Sequence, residues 1–226
     1  GPFRRDLLAQ DDARAIRQAT DLIAAAREGA GPDVEIFIEC GELLSPRTAM
    51  LAAHAMAPYR PGWFEEPIPF ENARAMINLQ RELPVPIATG ERLLSRWEFR
   101  ELLQEGGCRI IQPDLMHAAG ITEVHKIAAL ADVYYIPVAP HNPGGPICNL
   151  AAMHLAAAIP NFFMLEQMED ERPLRDAVCT EPVVCRDGYF ELPTAPGLGT
   201  DLKLEALEDH PFHPQPHRTS SDSLWH

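Results

Sequence analysis

The strongest constraint on the fold of this chain is a repeat in which each predicted strand ends on a polar or charged residue. The repeat units are separated by 26, 26, 23, 27 and 25 residues, and the strand-ending residues are Glu39, Glu65, Glu91, Asp114, His141 and Glu166. This spacing fits one strand followed by one helix, and about eight such units form a (β/α)8 barrel. The sequence therefore predicts an α/β protein with parallel strands.

Hydrophobic patterning and turn residues locate the individual units. Strands are expected at 34–39, 62–67, 86–91, 108–114, 134–141 and 162–166. Helices are expected at 11–28, at 45–57, at 71–82, from residue 95, and around 121–128 and 147–155. A short hairpin is expected within 179–193 around Asp187-Gly188. The His- and Pro-rich residues 210–217 are expected to form an extended tail.

A barrel explains the polar strand ends better than an open, doubly wound sheet. In a barrel, the carboxyl ends of all strands surround one mouth, where functional side chains converge. In an open sheet, the ligand crevice lies at a single switch in strand order, so six strand ends would not meet there. We therefore expect a barrel with one functional site at the carboxyl ends of its strands.

Composition excludes several other classes. A formal net charge of −14 disfavours nucleic acid as a partner. No apolar run approaches the roughly 18–20 residues of a membrane helix, and the first residues lead into no apolar block of a signal peptide. The five cysteines are odd in number and lack metal-type spacing, so we expect reduced thiols and a cytoplasmic location.

Three of the strand-ending residues suit a hard divalent cation. Glu39, Glu65 and Glu91 are evenly spaced and would present carboxylate oxygens at neighbouring strand ends. Mg²⁺ prefers oxygen ligands and keeps positions open for water or substrate oxygens. No cluster of Cys and His residues competes, so zinc is disfavoured.

The next two strand ends suggest a general base. His141 follows Asp114 by one repeat unit, and an aspartate beside a histidine fixes the imidazole tautomer and raises its basicity. No Gly-x-Ser-x-Gly, P-loop or Gly-x-Gly-x-x-Gly motif occurs, so acyl transfer, phosphoryl transfer and dinucleotide binding lack their usual marks.

Motifs at successive strand ends resemble the barrel domain of the enolase superfamily, and within it the galactonate dehydratase-like acid-sugar dehydratases of the mandelate racemase subgroup. They are Trp63-Phe-Glu-Glu-Pro-Ile-Pro69, Ile87-Ala-Thr-Gly-Glu-Arg92, Ile111-Gln-Pro-Asp114, His117-Ala-Ala-Gly120, Ala139-Pro-His-Asn-Pro143 and Met164-Leu-Glu166. The resemblance runs from about residue 1 to 205. It implies a TIM-like (β/α)7β barrel over residues 1–192, followed by a segment (193–226) that returns toward a capping domain and ends in the tail.

The resemblance also implies roles for residues at the mouth. Glu39, Glu65 and Glu91 would bind Mg²⁺, and His141 with Asp114 would form the base dyad. Substrate contacts are assigned to Glu166, which would hydrogen-bond the carboxylate or enolate, and to His117 and Arg92. A histidine or lysine base with Mg²⁺ on an ene-diolate is the general pattern of this superfamily.

Three departures from the family pattern stand out. Glu39 replaces the usual aspartate ligand and is one methylene longer. Gly41 stands where related dehydratases carry a histidine that protonates the departing hydroxyl, so we expect the dehydration step to be impaired. The chain begins after the point where the first barrel strand is expected to end, so that strand, its possible lysine base and the capping domain are expected to be missing.

The resemblance implies a hydro-lyase that acts on a small sugar acid. His141 would remove the proton α to the carboxylate, and loss of the β-hydroxyl would give a 2-keto-3-deoxy acid. Glu42 or a water could protonate the leaving hydroxyl, and the sequence does not choose between them. The alternatives are a racemase, epimerase or cycloisomerase on the same scaffold, or a catalytically degenerate barrel. A homo-oligomer is expected for the full-length form.

Overall fold

The computed structural model describes residues 1–9, 11–208 and 211. Its helices are α1 (Arg5–Leu8), α2 (Asp12–Ala30), α3 (Pro46–Met56), α4 (Ala73–Glu82), α5 (Arg96–Gln104), α6 (Ile121–Asp132), α7 (Pro146–Ala158), α8 (Arg172–Val178) and α9 (Leu204–Glu208). Its strands are β1 (Phe37–Glu39), β2 (Trp63–Glu65), β3 (Ile87–Thr89), β4 (Ile110–Ile111), β5 (Cys185–Arg186) and β6 (Tyr189–Phe190). Apart from residue 211, the tail expected over 210–217 lies outside the described residues.

Strands β1 to β4 form a parallel sheet in chain order, which confirms the alternation of strands and helices. The register pairs Glu39 with Glu65, so these two acidic strand ends are direct neighbours. Two single parallel bridges continue the order, from Ile111 to Val138 and from Val138 to Phe162. The described residues thus supply six consecutive strand positions of a barrel whose carboxyl ends face the same way.

The two barrel positions that follow β4, at Val138 and Phe162, are shorter than the sequence predicts. Strands were expected at 134–141 and 162–166, but only Val138 and Phe162 form bridges there. Val138 lies between Pro137 and Pro140, with Ala139 as the only intervening residue on its carboxyl side. Proline has no backbone N–H to donate to a ladder, so pairing cannot extend on both sides of Val138.

Alternation along the strands divides the side chains into two layers. Ile38, Phe64 and Ile87 are fully buried in the main core, which includes residues of the surrounding helices such as Ala52 of α3 and Phe99 of α5. The residues on the other face form a second cluster inside the barrel, comprising Trp63, Ala88, Ile110 and Ala139 with Phe37 and Met164 packed against it. The glutamates at 39 and 65 share the strand parity of this second cluster, so they face the barrel interior.

Local sequence signals fix the ends of the helices. Ser45 caps α3 by accepting a hydrogen bond from the Thr48 N–H at 3.1 Å, and Pro46 occupies the first turn, as the Ser-Pro pair predicts. The hairpin expected near residue 187 is also present, because β5 and β6 pair antiparallel across Asp187 and Gly188. No helix within the described ranges combines the length and apolar character needed to cross a membrane.

Gly90, between β3 and Glu91, leaves no room for a side chain. Its φ of +126° lies in a region that L-residues rarely adopt, and an added Cβ would stand 2.6 Å from Cε1 of Phe99. Gly106 also has a positive φ, +67°, but open space surrounds its Cβ position. The two glycines therefore separate backbone strain from overpacking.

We expect Gly90→Ala to destabilise the protein more than Gly106→Ala. Backbone strain costs about 1–3 kcal/mol at either site, and overpacking against Phe99 adds about 1–3 kcal/mol at Gly90 alone. Urea unfolding followed by circular dichroism measures the difference. Equal losses of stability in the two variants would show that Phe99 yields freely and that the packing at this strand end is loose.

Candidate active site

Three carboxylates meet at the mouth of the barrel, as the even spacing predicts. One carboxylate oxygen from each of Glu39, Glu65 and Glu91 lies within 4.8 Å of the others, and all three side chains are half-buried. Glu39 and Glu65 end the paired strands β1 and β2, whereas Glu91 follows β3 by two residues. The turn at Gly90 brings Glu91 back toward the other two.

Burial and mutual repulsion make this cluster electrostatically unfavourable without a cation. Burial raises the pKa of Glu39, and the charge of Glu65 raises it further. The pKa of Glu65 is also raised, mainly by burial. Carboxylates that share a site disfavour simultaneous ionisation, and a bound cation removes that penalty. An all-oxygen donor set of three carboxylates fits a hard divalent ion such as Mg²⁺.

Hydrogen bonds from neighbouring groups orient two of these carboxylates. The Gly41 N–H donates to Oε1 of Glu39, and Nε1–H of Trp63 donates to Oε2 of Glu65 at 3.0 Å. The indole of Trp63 stacks on Phe37 with ring centroids 3.6 Å apart, which fixes the position of its N–H. Both donors hold the oxygens in place while leaving lone pairs available for a metal.

Arg92 contacts the cluster from the side. Its Nε lies 2.8 Å from Oε2 of Glu42 and 3.5 Å from Oε1 of Glu91. The other oxygen of Glu42 is buried and has no hydrogen-bond partner in the part of the chain that the structure describes. Burial raises the pKa of Glu42, and the positive charge of Arg92 offsets this only in part. Arg92 therefore lies between Glu91, a candidate metal ligand, and Glu42, an acidic residue beside the site.

His141 connects the carboxylate cluster to Asp114. Its Nδ1 lies 2.8 Å from Oδ2 of Asp114, and its Nε2 lies 3.4 Å from Oε2 of Glu91. Asp114 is fully buried, and its other oxygen accepts two backbone N–H bonds from the loop that follows. An ionised Asp114 can only accept, so Nδ1 of His141 carries a proton and Nε2 is free to take one.

The environment favours the ionised aspartate and the protonated histidine. Burial alone would lower the pKa of His141, but the hydrogen bond to Asp114 and the charges of Glu91 and Glu166 outweigh burial and raise it. Burial alone would raise the pKa of Asp114, but the hydrogen bonds from His141 and from backbone N–H groups outweigh it and lower it. His141 is therefore a stronger base than a free imidazole.

Glu166 is held by the loop that follows His141. The Asn142 N–H donates to Oε2 of Glu166 at 2.7 Å, and the Asn142 amide donates to the Glu166 carbonyl at 3.0 Å. Asn142 also donates to Asn149 of α7, which donates to Gln167. This buried amide chain couples the position of Glu166 to that of His141, because Asn142 is adjacent to His141 in the chain.

His117 lies at the rim of the mouth. Its side chain is exposed, and its Nδ1 donates to the Glu91 carbonyl at 2.9 Å. His117 is therefore close to the carboxylate cluster and to Arg92, which follows Glu91 in the chain. The substrate-binding roles expected for His117, Arg92 and Glu166 stay predictions, as do the metal and base roles of the other residues.

Two features of the site escaped sequence reasoning. Glu66 is buried beneath the cluster and bonds the turn that carries Glu91. The sequence did contain a signal for Glu66. It lies two residues after Phe64 and so on the same side of the strand, which faces the main core, where an acidic side chain is unusual. The Asn142–Asn149–Gln167 chain carried no such signal, since its members become neighbours only when the loops fold over α7.

Comparison with known proteins assigns the class of this chain. The family model described as Enolase C-terminal domain-like matches residues 5–206, so the chain belongs to that family. The solved mandelate racemase/muconate lactonizing enzyme from Sulfitobacter sp. is similar with a TM-score of 0.86 and 36% identity, covering 90% of this chain and 51% of that one. The enolase-superfamily barrel expected from the sequence is thereby confirmed.

The more particular likenesses are to dehydratases. D-galactonate dehydratase from Cronobacter sakazakii is 37% identical over 203 residues, covering 87% of this chain and 53% of the relative. The Ralstonia nicotianae D-galactonate dehydratase is 38% identical over the same shares. An enolase from Agrobacterium radiobacter, solved with bound Na and L-malate, has a TM-score of 0.86 and 32% identity over 99% of this chain and 61% of that one. The chain spans about half the length of the curated relatives it matches.

The contact between His141 and Asp114 makes a prediction about titration. We expect Asp114→Asn to lower the pKa of His141, because it removes the carboxylate that holds the imidazolium. The asparagine amide would also donate to Nδ1, which forces the remaining proton onto Nε2. Proton NMR titration of the metal-free protein measures the shift, with His141→Asn identifying the resonance.

Asp187→Asn, in the turn between β5 and β6, is the control and should leave that titration unchanged. An unshifted His141 resonance in Asp114→Asn would show that Glu91 and Glu166 alone set its basicity.

Proposed function

We propose that this chain is the barrel domain of a Mg²⁺-dependent acid-sugar dehydratase. The observation that carries the proposal is the position of His141, whose Nε2 faces Glu91 of the carboxylate cluster while its Nδ1 bonds to Asp114. A base with a fixed tautomer beside a metal-type carboxylate cluster suits proton abstraction α to a carboxylate. The D-galactonate dehydratases among the relatives support a sugar acid as substrate.

Glu39, Glu65 and Glu91 would hold the metal ion, as the 4.8 Å limit on the separations of their oxygens supports. When bound, Mg²⁺ supplies a positive charge that orients the substrate carboxylate and stabilises the negative charge developed as the α-proton leaves. Glu166, Arg92 and His117 lie around the same mouth and would orient the rest of the sugar acid.

His141 performs the first proton transfer in this proposal. The α C–H bond breaks, and Nε2 of His141 takes the proton while Asp114 stabilises the imidazolium through Nδ1. The β C–O bond then breaks, and the hydroxyl leaves as water after it gains a proton. The enol that remains tautomerises to a 2-keto-3-deoxy acid.

The departing hydroxyl needs a proton donor, because Gly41 has no side chain to supply one. We propose Glu42 for this role. One of its oxygens is buried and has no hydrogen-bond partner among the described residues, and burial raises the pKa of its carboxyl group, which favours the protonated form that a proton donor needs. Its contact with Arg92 links it to the side of the mouth near Glu91.

The location and assembly of the protein belong to the same proposal. The cysteines of the described residues are free thiols, four buried and one half-buried, which suits a cytoplasmic protein. We propose a homo-oligomer for the full-length form, with a sugar acid as the small-molecule partner.

Isotope exchange separates the two chemical steps. We expect the enzyme with Mg²⁺ and D-galactonate in D₂O to show deuterium exchange at the α-carbon faster than keto-acid formation. His141→Asn should abolish both, whereas Glu42→Gln should slow keto-acid formation and leave exchange within about threefold. Proton NMR measures exchange, and a keto-acid assay measures dehydration.

Gly41→His is a further test variant. The structure can accept it, because a Cβ at Gly41 would have ordinary contacts of 3.7 Å and longer, and histidine tolerates positive φ better than most residues. It should speed dehydration without speeding exchange. Exchange that persists in His141→Asn would refute the base assignment. Exchange with no dehydration by any variant would favour a racemase or epimerase.

A further inference from the structure

We propose that Glu66 is a positioning residue that ties the turns carrying Glu39, Glu65 and Glu91 into one metal-binding geometry. The inference rests on the proposed metal site and adds a residue that would touch neither metal nor substrate. Glu66 follows Glu65 directly but points to the opposite side of the sheet, where it is 1% exposed. A carboxyl group buried among apolar residues is costly unless its hydrogen bonds recover the cost.

The side chain of Glu66 binds the turn before Glu91. Its Oε1 accepts the Gly90 N–H at 2.7 Å, and the Thr89 hydroxyl lies 2.9 Å from both carboxylate oxygens. Gly90 has the φ of +126° that turns the chain toward the carboxylate cluster. Glu66 therefore holds the unusual backbone conformation that delivers Glu91.

The backbone of Glu66 binds the other two parts of the site. Its carbonyl accepts the Glu42 N–H at 2.7 Å, which fixes the turn that follows Glu39. Its N–H donates to the Ala88 carbonyl at 3.0 Å, which extends pairing between β2 and β3 past Glu65. One residue thus contacts the turns after β1 and β3 and adjoins the ligand of β2.

If Glu66 had a purely structural role, its replacement would lower the stability of the protein without changing its affinity for Mg²⁺. Gln80 provides a matched control for such a structural role. Gln80 of α4 is 5% exposed, and its Oε1 accepts the Ile87 N–H at 2.7 Å. Both Gln80 and Glu66 therefore use a buried side chain to accept a backbone N–H at one end of β3, from Ile87 and from Gly90 respectively. Gln80 acts at the start of the strand, away from the carboxylate cluster, and Glu66 acts at its end.

The test measures Mg²⁺ affinity by calorimetry, and stability by thermal unfolding of the metal-free protein. Glu66→Asp shortens the side chain by one methylene and separates it from Gly90, so we expect Mg²⁺ binding about 10–100-fold weaker. Glu66→Gln keeps an acceptor for Gly90 and a donor for the Thr89 hydroxyl, so it should restore affinity to within about threefold. Gln80→Ala should lower the unfolding temperature while its affinity stays within about threefold of the original.

The outcomes distinguish this inference from the proposed function. If the unaltered protein binds no Mg²⁺, the proposed metal site fails. If it binds Mg²⁺ and Glu66→Asp binds equally well, or if Gln80→Ala loses as much affinity, the positioning role fails. If Glu66→Asp does not fold, Thr89→Val is the alternative variant. It removes the hydroxyl that donates to the Glu66 carboxylate and keeps a side chain of similar size at position 89. We expect threefold or greater weakening there, and unchanged affinity would overturn the inference.

Discussion

The parallel register of β1 and β2 forces acidic side chains together at the mouth of the barrel. Glu39 pairs directly with Glu65, and the turn at Gly90 adds Glu91 to the same point. Repulsion between these partly buried carboxylates is the constraint to which the surrounding structure responds. The Gly41 N–H and the Trp63 indole each donate to one of them, and Arg92 approaches another. These contacts reduce the repulsion but leave oxygens facing the centre.

The same cluster also borders His141. The imidazole lies between Asp114 on one side and Glu91 on the other, so its two nitrogens have different neighbours. Asp114 is buried and ionised, which holds the tautomer, whereas Nε2 faces the space above the carboxylates. Glu91 therefore belongs both to the charges that raise the pKa of His141 and to the carboxylates that could hold a cation. A change at Glu91 would therefore alter the surroundings of both His141 and the carboxylate cluster.

Much of this arrangement was predictable because the strand period carries it. Glu39, Glu65, Glu91, Asp114 and His141 were identified as strand-ending residues, and the structure brings all of them to one mouth. In a barrel of parallel strands the carboxyl ends surround one mouth, so the spacing of the strand ends predicted this convergence. The extent of the last two strands was wrong, since Pro137 and Pro140 limit pairing around Val138.

Other features depend on contacts between segments that are distant in sequence. Glu66 binds the turn after β3 only because β2 and β3 pair in register, and Asn142 reaches Asn149 only because the loop folds onto α7. The positive φ of Gly41, +62°, and its N–H bond to Glu39 likewise follow from the folded turn. Sequence patterns report which face a residue takes, but they do not report which neighbour it meets there.

The central claim is that Glu39, Glu65 and Glu91 form one cation site beside His141. Crystals grown with Mn²⁺, which accepts the same oxygen ligands as Mg²⁺, allow the ion to be located by anomalous scattering. The account predicts one strong anomalous peak about 2.0–2.3 Å from a carboxylate oxygen of each of the three glutamates. A peak at another set of residues, or no peak at Mn²⁺ concentrations far above the measured Kd, would contradict it.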